Sequence, residues 1–138
     1  MRRDVGYVVD VGSPAFVQAL DDAVIAIMIE KAPAVDHLEA LLAVTGVDMV
    51  QFGPADYSMS VGLAGQWSHP KVLEAERRMI RTALGLGIAP RVEISSPEQA
   101  KPYLDLGVRH FCMGWDVEIL FEWFKREGET MRKILERG

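Results

Sequence analysis

The stretch Met49-Val-Gln-Phe52-Gly53-Pro54-Ala55-Asp56-Tyr57-Ser58 decides how the rest of this 138-residue chain reads. Met49 to Phe52 has the character of a short buried strand, and Gly53-Pro54 ends it sharply. An acid, Asp56, follows the turn. Parallel α/β proteins handle ligands at the carboxyl ends of their strands. A carboxylate there, beside backbone N–H groups left free by the turn, suits a metal or an anionic substrate. A second acid is placed the same way upstream, where Val24-Ile-Ala-Ile-Met-Ile29 runs into Glu30. Glu30 and Asp56 are the chemical clue.

Outward from these strands, helix and strand signals alternate. Ser13-Pro14 opens a short helix to about Asp21, with Ser as N-cap and Pro at the first helical position. Residues 23–29 form the first strand; their unbroken apolarity predicts cover on both faces. Pro33 opens a helix over 33–44, and Gly46 stops it. Residues 47–52 form the second strand, and 57–69 read as a loop holding Met59, Leu63 and Trp67. A long helix starts near Ser68 and ends at Gly85. Residues 90–94 form a third strand. Ser96-Pro97-Glu98-Gln99 reads as a capping box, followed by a helix to Gly107 kinked at Pro102. Residues 108–114 form a fourth strand. Asp116 caps a last helix that buries Val117, Leu120, Phe121 and Phe124, is interrupted at Gly128, and continues through the tail to 138. Residues 1–12 are hard to classify, with Tyr7-Val-Val9 as a short extended piece.

The repeat of four strand–helix units means a parallel sheet with crossover helices. The chain reads as a single domain over 1–138: a lead-in over 1–22 and four βα units over 23–138. Pattern alone leaves three architectures open: a small open sheet with helices on both faces, half of an eight-stranded barrel, or a fragment of one. A half barrel would have open edges and an apolar inner face, so it would need a second copy or a partner half.

Composition narrows the function classes. With 49% hydrophobic and 25% charged residues, the chain is globular and not disordered. A net charge of −5 argues against a nucleic-acid footprint. No apolar run approaches membrane-spanning length, and no signal core follows Met1-Arg-Arg-Asp4. Cys112 is the single cysteine, which rules out a disulfide within the chain and fits a reducing cytoplasm.

Several of these residues together resemble a known family. They are Ile27-Met-Ile29-Glu30-Lys31, the run Gly46-Val-Asp48 through Gly53-Pro54-Ala55-Asp56-Tyr57-Ser58, Gly62-Leu-Ala-Gly65 and His69-Pro70. They look like the second half of the HpcH/HpaI aldolase family, with a weaker continuation at Tyr103-Leu-Asp-Leu-Gly107 and Phe111-Cys-Met-Gly114. The resemblance implies parallel βα units corresponding to strands five to eight, the C-terminal half, of a (β/α)8 TIM barrel. It implies a divalent cation (Mg2+, Mn2+ or Co2+) held by Glu30 and Asp56. Gly53, Pro54, Ala55 and Asp56 would bind the substrate, the N–H groups of Ala55 and Asp56 holding its carboxylate. The implied reaction is metal-dependent cleavage of a 4-hydroxy-2-oxo acid to pyruvate and an aldehyde. The small 2-oxo acid is thus the expected partner, with no nucleic acid and no membrane. The chain is expected to work as a homo-oligomer or with a complementing N-terminal half-barrel.

The resemblance also marks departures. The His-based proton-transfer group and the substrate-binding Arg of the family belong to the first four strands and have no counterpart here, so the catalytic residues are unknown. Met28 stands where family members often carry Gln. The rival to the lyase is therefore a non-catalytic half-barrel or partner subunit that binds metal and a 2-oxo acid.

Other residues have simpler readings. His69 reads as a helix cap, and His37 and His110 as ordinary surface or core residues. Cys112 reads as a small buried hydrophobe. Glu93 either approaches the site or lies in a solvated network. Lys31 should point away from Glu30 along the strand, which makes it a poor Schiff-base candidate. Trp115, Phe121, Trp123 and Phe124 exceed what one helix buries, which fits a subunit interface.

Overall fold

The computed structural model describes residues 11–136. The extended piece expected at Tyr7–Val9 and the last two residues of the tail lie outside this range. The first helix, α1 (Pro14–Asp21), starts as expected: Ser13 caps it by accepting from the Phe16 N–H at 3.1 Å. Four strands follow, β1 (Ala26–Ile29), β2 (Met49–Phe52), β3 (Ala89–Ile94) and β4 (His110–Met113). All pair in parallel, in the order β1-β2-β3-β4.

That order settles the architecture. A doubly wound sheet reverses direction at a switch point. Here each right-handed crossover steps the same way, which places the connecting helices on one face. This is the winding of a barrel wall. The helices are α2 (Ala32–Asp36), α3 (Leu38–Leu42), α4 (Pro54–Ser60), α5 (Pro70–Gly85) and α6 (Ala100–Leu106). The core lies between them and the sheet: Ile29, Val50, Phe52, Val92 and Ile94 pack with Leu38, Leu42, Val72, Met79, Ile80 and Ala83.

The other face of the sheet is open, and this corrects two expectations. β1 is covered on one side only, so Met28 is 51% exposed while Ile29 is 1% exposed. The open face is not apolar either. The paired row Met28–Gln51–Arg91–His110 crosses it, and Glu93 and Cys112 pair one layer further on. Cys112 is accordingly only half-buried.

Local differences have local causes. The helix expected over 33–44 is two short helices. His37 leaves helical geometry at φ −111°, ψ 25°, and this re-aims Leu38 into the core. Residues 54–60, expected in part as loop, form α4, because Pro54 fits a first helical position and the Tyr57 N–H closes on the Gly53 carbonyl at 2.9 Å. Ser96 makes no side-chain cap. Gln99 reaches back to the Ser95 N–H at 2.8 Å, and residues Pro97–Gln99 form a 3-10 turn before α6. Pro102 makes no kink, since it falls in the first turn of α6, where no intrahelical bond is lost. Gly107 ends α6 at φ 103°, a left-handed conformation that favours glycine.

The terminal helix α7 (Asp116–Leu135) runs unbroken through Gly128. Trp115, not Asp116, is its N-cap; Asp116 accepts from the Val117 N–H at 2.8 Å. No α7 residue is buried, so Val117, Leu120, Phe121 and Phe124 are exposed where a buried face was expected. Trp123 and Phe124 pack edge to face at 4.9 Å on that surface.

Candidate functional site

The two acids singled out in the sequence lie at the carboxyl ends of neighbouring strands, Glu30 one residue past β1 and Asp56 in the first turn of the helix that follows β2. Glu30 follows the buried Ile29 directly. The Gly53 N–H donates to the Ile29 carbonyl at 3.0 Å, which carries the β1–β2 ladder to the strand ends and fixes Gly53 beside Glu30. The contact is close. A Cβ on Gly53 would lie 2.9 Å from Glu30 Cβ, 3.2 Å from Met28 Sδ and 3.3 Å from Glu30 Oε2. The absence of a side chain at 53 is what gives the Glu30 carboxylate its place.

Asp56 sits in the first turn of α4, where the positive end of the helix favours a carboxylate. In that turn the N–H groups of Ala55 and Asp56 have no intrahelical acceptor. Ser58, fully buried, braces the turn by donating to the Ala55 carbonyl at 2.7 Å. Tyr57 packs on Phe52 with ring centroids 5.1 Å apart, locking α4 to the end of β2.

Lys31 enters this site against expectation. β1 ends at Ile29, so the alternation assumed for Lys31 does not extend to it. It is the extended N-cap of α2, with its Nζ 3.7 Å from Asp56 Oδ1. The following residue, Ala32, donates its N–H to Ser60 Oγ at 3.0 Å, tying the start of α2 to the end of α4. The Ala32-Pro33 pair was the available signal, since a helix opening at Pro33 leaves no room for strand at Lys31.

Gln51 is a polar residue of the sheet's open face that the sequence did not single out. It is buried at 5% exposure and donates from Nε2 to Glu93 Oε2 at 3.3 Å across the open face. Glu93 itself is exposed and lies in this polar pair.

The remaining candidates fall elsewhere. His69 caps α5 as expected, Nδ1 accepting from the Lys71 N–H at 3.2 Å. His37 joins α2 to α3. His110 lines a shallow cavity of about 220 Å³ with Arg109, Pro90 and Leu84. That cavity opens at the amino ends of β3 and β4, the opposite end from Glu30 and Asp56.

The donor set tests the fit of a cation. Among the described residues no group of three or more His, Cys, Asp or Glu is gathered. A closed zinc-type or calcium-type cage is therefore not built here. Carboxylates carried at the ends of two neighbouring strands suit a small hard cation such as Mg2+ or Mn2+, which keeps several waters and takes one or two protein carboxylates.

Comparison with known proteins bears on the family and the fold. A profile described as HpcH/HpaI aldolase/citrate lyase matches residues 3–122. The chain belongs to this family. It is 38% identical over 97 residues to a hydroxypyruvate/pyruvate aldolase of Cupriavidus necator, covering 70% of this chain and 36% of that protein. It is 36% identical over 108 residues to a 4-hydroxy-2-oxo-heptane-1,7-dioate aldolase of Shigella sonnei, covering 78% and 41%. The chain thus spans less than half the length of these relatives.

Among solved structures, an HpcH/HpaI aldolase of Desulfitobacterium hafniense superposes with a TM-score of 0.73 at 28% identity, over 86% of this chain and 46% of that one. A Burkholderia cenocepacia member of the family gives 0.72 at 27%, over 85% and 46%. The fold is therefore that of TIM-barrel βα units at about half the barrel's length. No helix among the described residues is long and apolar enough to cross a membrane.

Proposed function

We propose that these residues form the carboxyl-terminal half of a metal-dependent aldolase, a carbon–carbon lyase that cleaves 4-hydroxy-2-oxo acids to pyruvate and an aldehyde. The observation that carries this reading is the seating of the Glu30 carboxylate over Gly53, beside the turn that bears Asp56. In this reading Glu30 and Asp56 hold the divalent cation. The N–H groups of Ala55 and Asp56, at the positive end of α4, hold the carboxylate of the 2-oxo acid. Ser58 keeps those groups aimed by fixing the Ala55 carbonyl. When bound, the cation supplies Lewis acidity for the keto oxygen and the enolate.

Cleavage also needs a group that takes the proton of the 4-hydroxyl. The 53–56 turn supplies none, so that group enters with the remainder of the barrel. The open sheet face and the edges of β1 and β4, unpaired among the described residues, are where four further βα units would close the wall. The lack of a proton-accepting group in the 53–56 turn favours one alternative: a half-barrel that binds cation and 2-oxo acid without turning over.

Release of pyruvate from a 4-hydroxy-2-oxo acid, followed with Mn2+ and with EDTA, separates the two. The measurement is made on this chain alone and mixed with the amino-terminal half of a relative. Release that requires Mn2+ and is abolished by EDTA is expected for the lyase. A folded, Mn2+-binding sample that releases none in either setting identifies the binding half instead.

A further inference from the structure

Lys31 forms an ion pair with Asp56, one of the two acids of the candidate site. The ammonium lies 3.7 Å from Asp56 Oδ1, and the two side chains are 56% and 46% exposed. Its placement is built into the backbone, because the Ala32 N–H bond to Ser60 Oγ at 3.0 Å fastens the start of α2 to the helix that carries Asp56. A positive charge is thus held on one of the two carboxylates assigned to the cation.

We propose that Lys31 is a built-in competitor of the divalent cation, occupying Asp56 in the metal-free chain and giving way when the cation binds. This rests on the reading of Glu30 and Asp56 as cation ligands. An oxygen that serves an ammonium cannot serve a hard cation at full strength. The ammonium must leave, and while near it repels the incoming charge. Lysine suits the part. Its charge sits on a flexible stem with rotatable donors, so it can swing into solvent without moving the backbone, whereas the fork of an arginine would hold the carboxylate at two points. In the metal-free chain the same ammonium balances the Asp56 carboxylate. The site is thereby kept in shape and its affinity is set below that of a bare carboxylate pair.

The test is direct Mn2+ binding, read from the spin-resonance signal of free Mn2+. It compares the parent chain with Lys31→Met, Lys31→Arg, Asp56→Asn and the Lys31→Met/Asp56→Asn pair. Circular dichroism confirms the fold of each. At low ionic strength Lys31→Met should bind Mn2+ about fivefold more tightly than the parent, the upper end of what a half-exposed ion pair is worth. Lys31→Arg should bind no more tightly than the parent. The gain should shrink as KCl is added and vanish in the Asp56→Asn background. Equal affinity of Lys31→Met and a Mn2+-binding parent overturns the proposal, as does a gain that survives in Asp56→Asn. Absence of Mn2+ binding from every folded sample removes the cation reading of Glu30 and Asp56, and the proposal with it. Binding by Lys31→Met alone supports both.

Discussion

Gly53→Ala isolates the contact on which the site is built. The backbone at Gly53, φ −103° and ψ 87°, is open to alanine, so the substitution carries no torsional penalty. Its effect is steric. The new Cβ would stand 2.9 Å from Glu30 Cβ, well inside van der Waals contact. Met28 Sδ and Glu30 Oε2, at 3.2 and 3.3 Å, can rotate aside, but Glu30 Cβ is fixed to the main chain. The ends of β1 and β2 must therefore part. Overpacking of this kind costs roughly 1–3 kcal/mol. Reduced freedom of the unfolded chain offsets about 0.4–1 kcal/mol of it. From the middle of these ranges the net loss is about 1–2 kcal/mol. In urea, with a slope of about 2 kcal/mol per molar, the midpoint should fall by roughly 0.5–1 M. Mn2+ affinity should drop alongside, since the Glu30 carboxylate is pushed from its place. A midpoint within about 0.1 M of the parent, with Mn2+ affinity unchanged, would refute the seating of Glu30 over Gly53.

Two further predictions concern the scaffold. The Tyr103 hydroxyl donates to both Glu76 carboxylate oxygens, at 3.2 and 3.4 Å, between α6 and α5. Tyr103→Phe should cost about 1.5–3 kcal/mol near neutral pH in urea denaturation, the range for a hydrogen bond to a charged group. The pair also sets a pH dependence. Burial first, and the Glu76 carboxylate second, push the Tyr103 phenol up to about 12. A phenol raised above its unfolded value of about 10 adds stability that is complete below pH ~10 and lost as pH rises towards 12. Tyr103→Phe should flatten that alkaline decline; an unchanged alkaline limb would count against the pair. Burial also raises Glu76, and the bond from Tyr103 opposes the rise. The stability Glu76 adds is therefore present below its unfolded pKa and lost as pH climbs through its folded one. Without the Tyr103 bond that window should move upward, which titration of the carboxyl by NMR would show. On α7, Phe121 and Phe124 are 61% and 63% exposed, so replacing both with Ser should change stability by no more than about 0.5 kcal/mol. A loss above about 1.5 kcal/mol in dilute solution would mean that α7 packs on a surface the fold does not show.

The part of the site that was legible in the sequence was legible for a physical reason. Glu30 and Asp56 each follow a short apolar run whose length and flanks suit a strand, and Gly-Pro marks where the second strand stops. Chain order and helix starts at Pro14, Pro33 and Pro70 then yield the parallel winding. What could not be read is what depends on neighbours distant in sequence. Lys31 appeared to continue β1, yet the Ser60 bond to Ala32 turns the chain and brings its ammonium to Asp56. The strand order, which excluded the doubly wound sheet, depends on pairing that four similar units leave open. The open face looked apolar because Ile27 and Ile29 dominate the pattern. The alternating partners are Met28, Gln51, Arg91 and His110, and register alone aligns them in one row. The apolar residues of α7 were assigned to a core because helical spacing cannot say which surface receives them.

The most direct test of the account is Mn2+ binding by the parent chain, Glu30→Gln and Asp56→Asn, with each variant confirmed as folded. Each substitution keeps the shape and removes a charge. The account predicts binding by the parent and a loss of at least about tenfold in each variant, since a two-carboxylate site gives up half its charge. Affinity equal to the parent in both variants would contradict it.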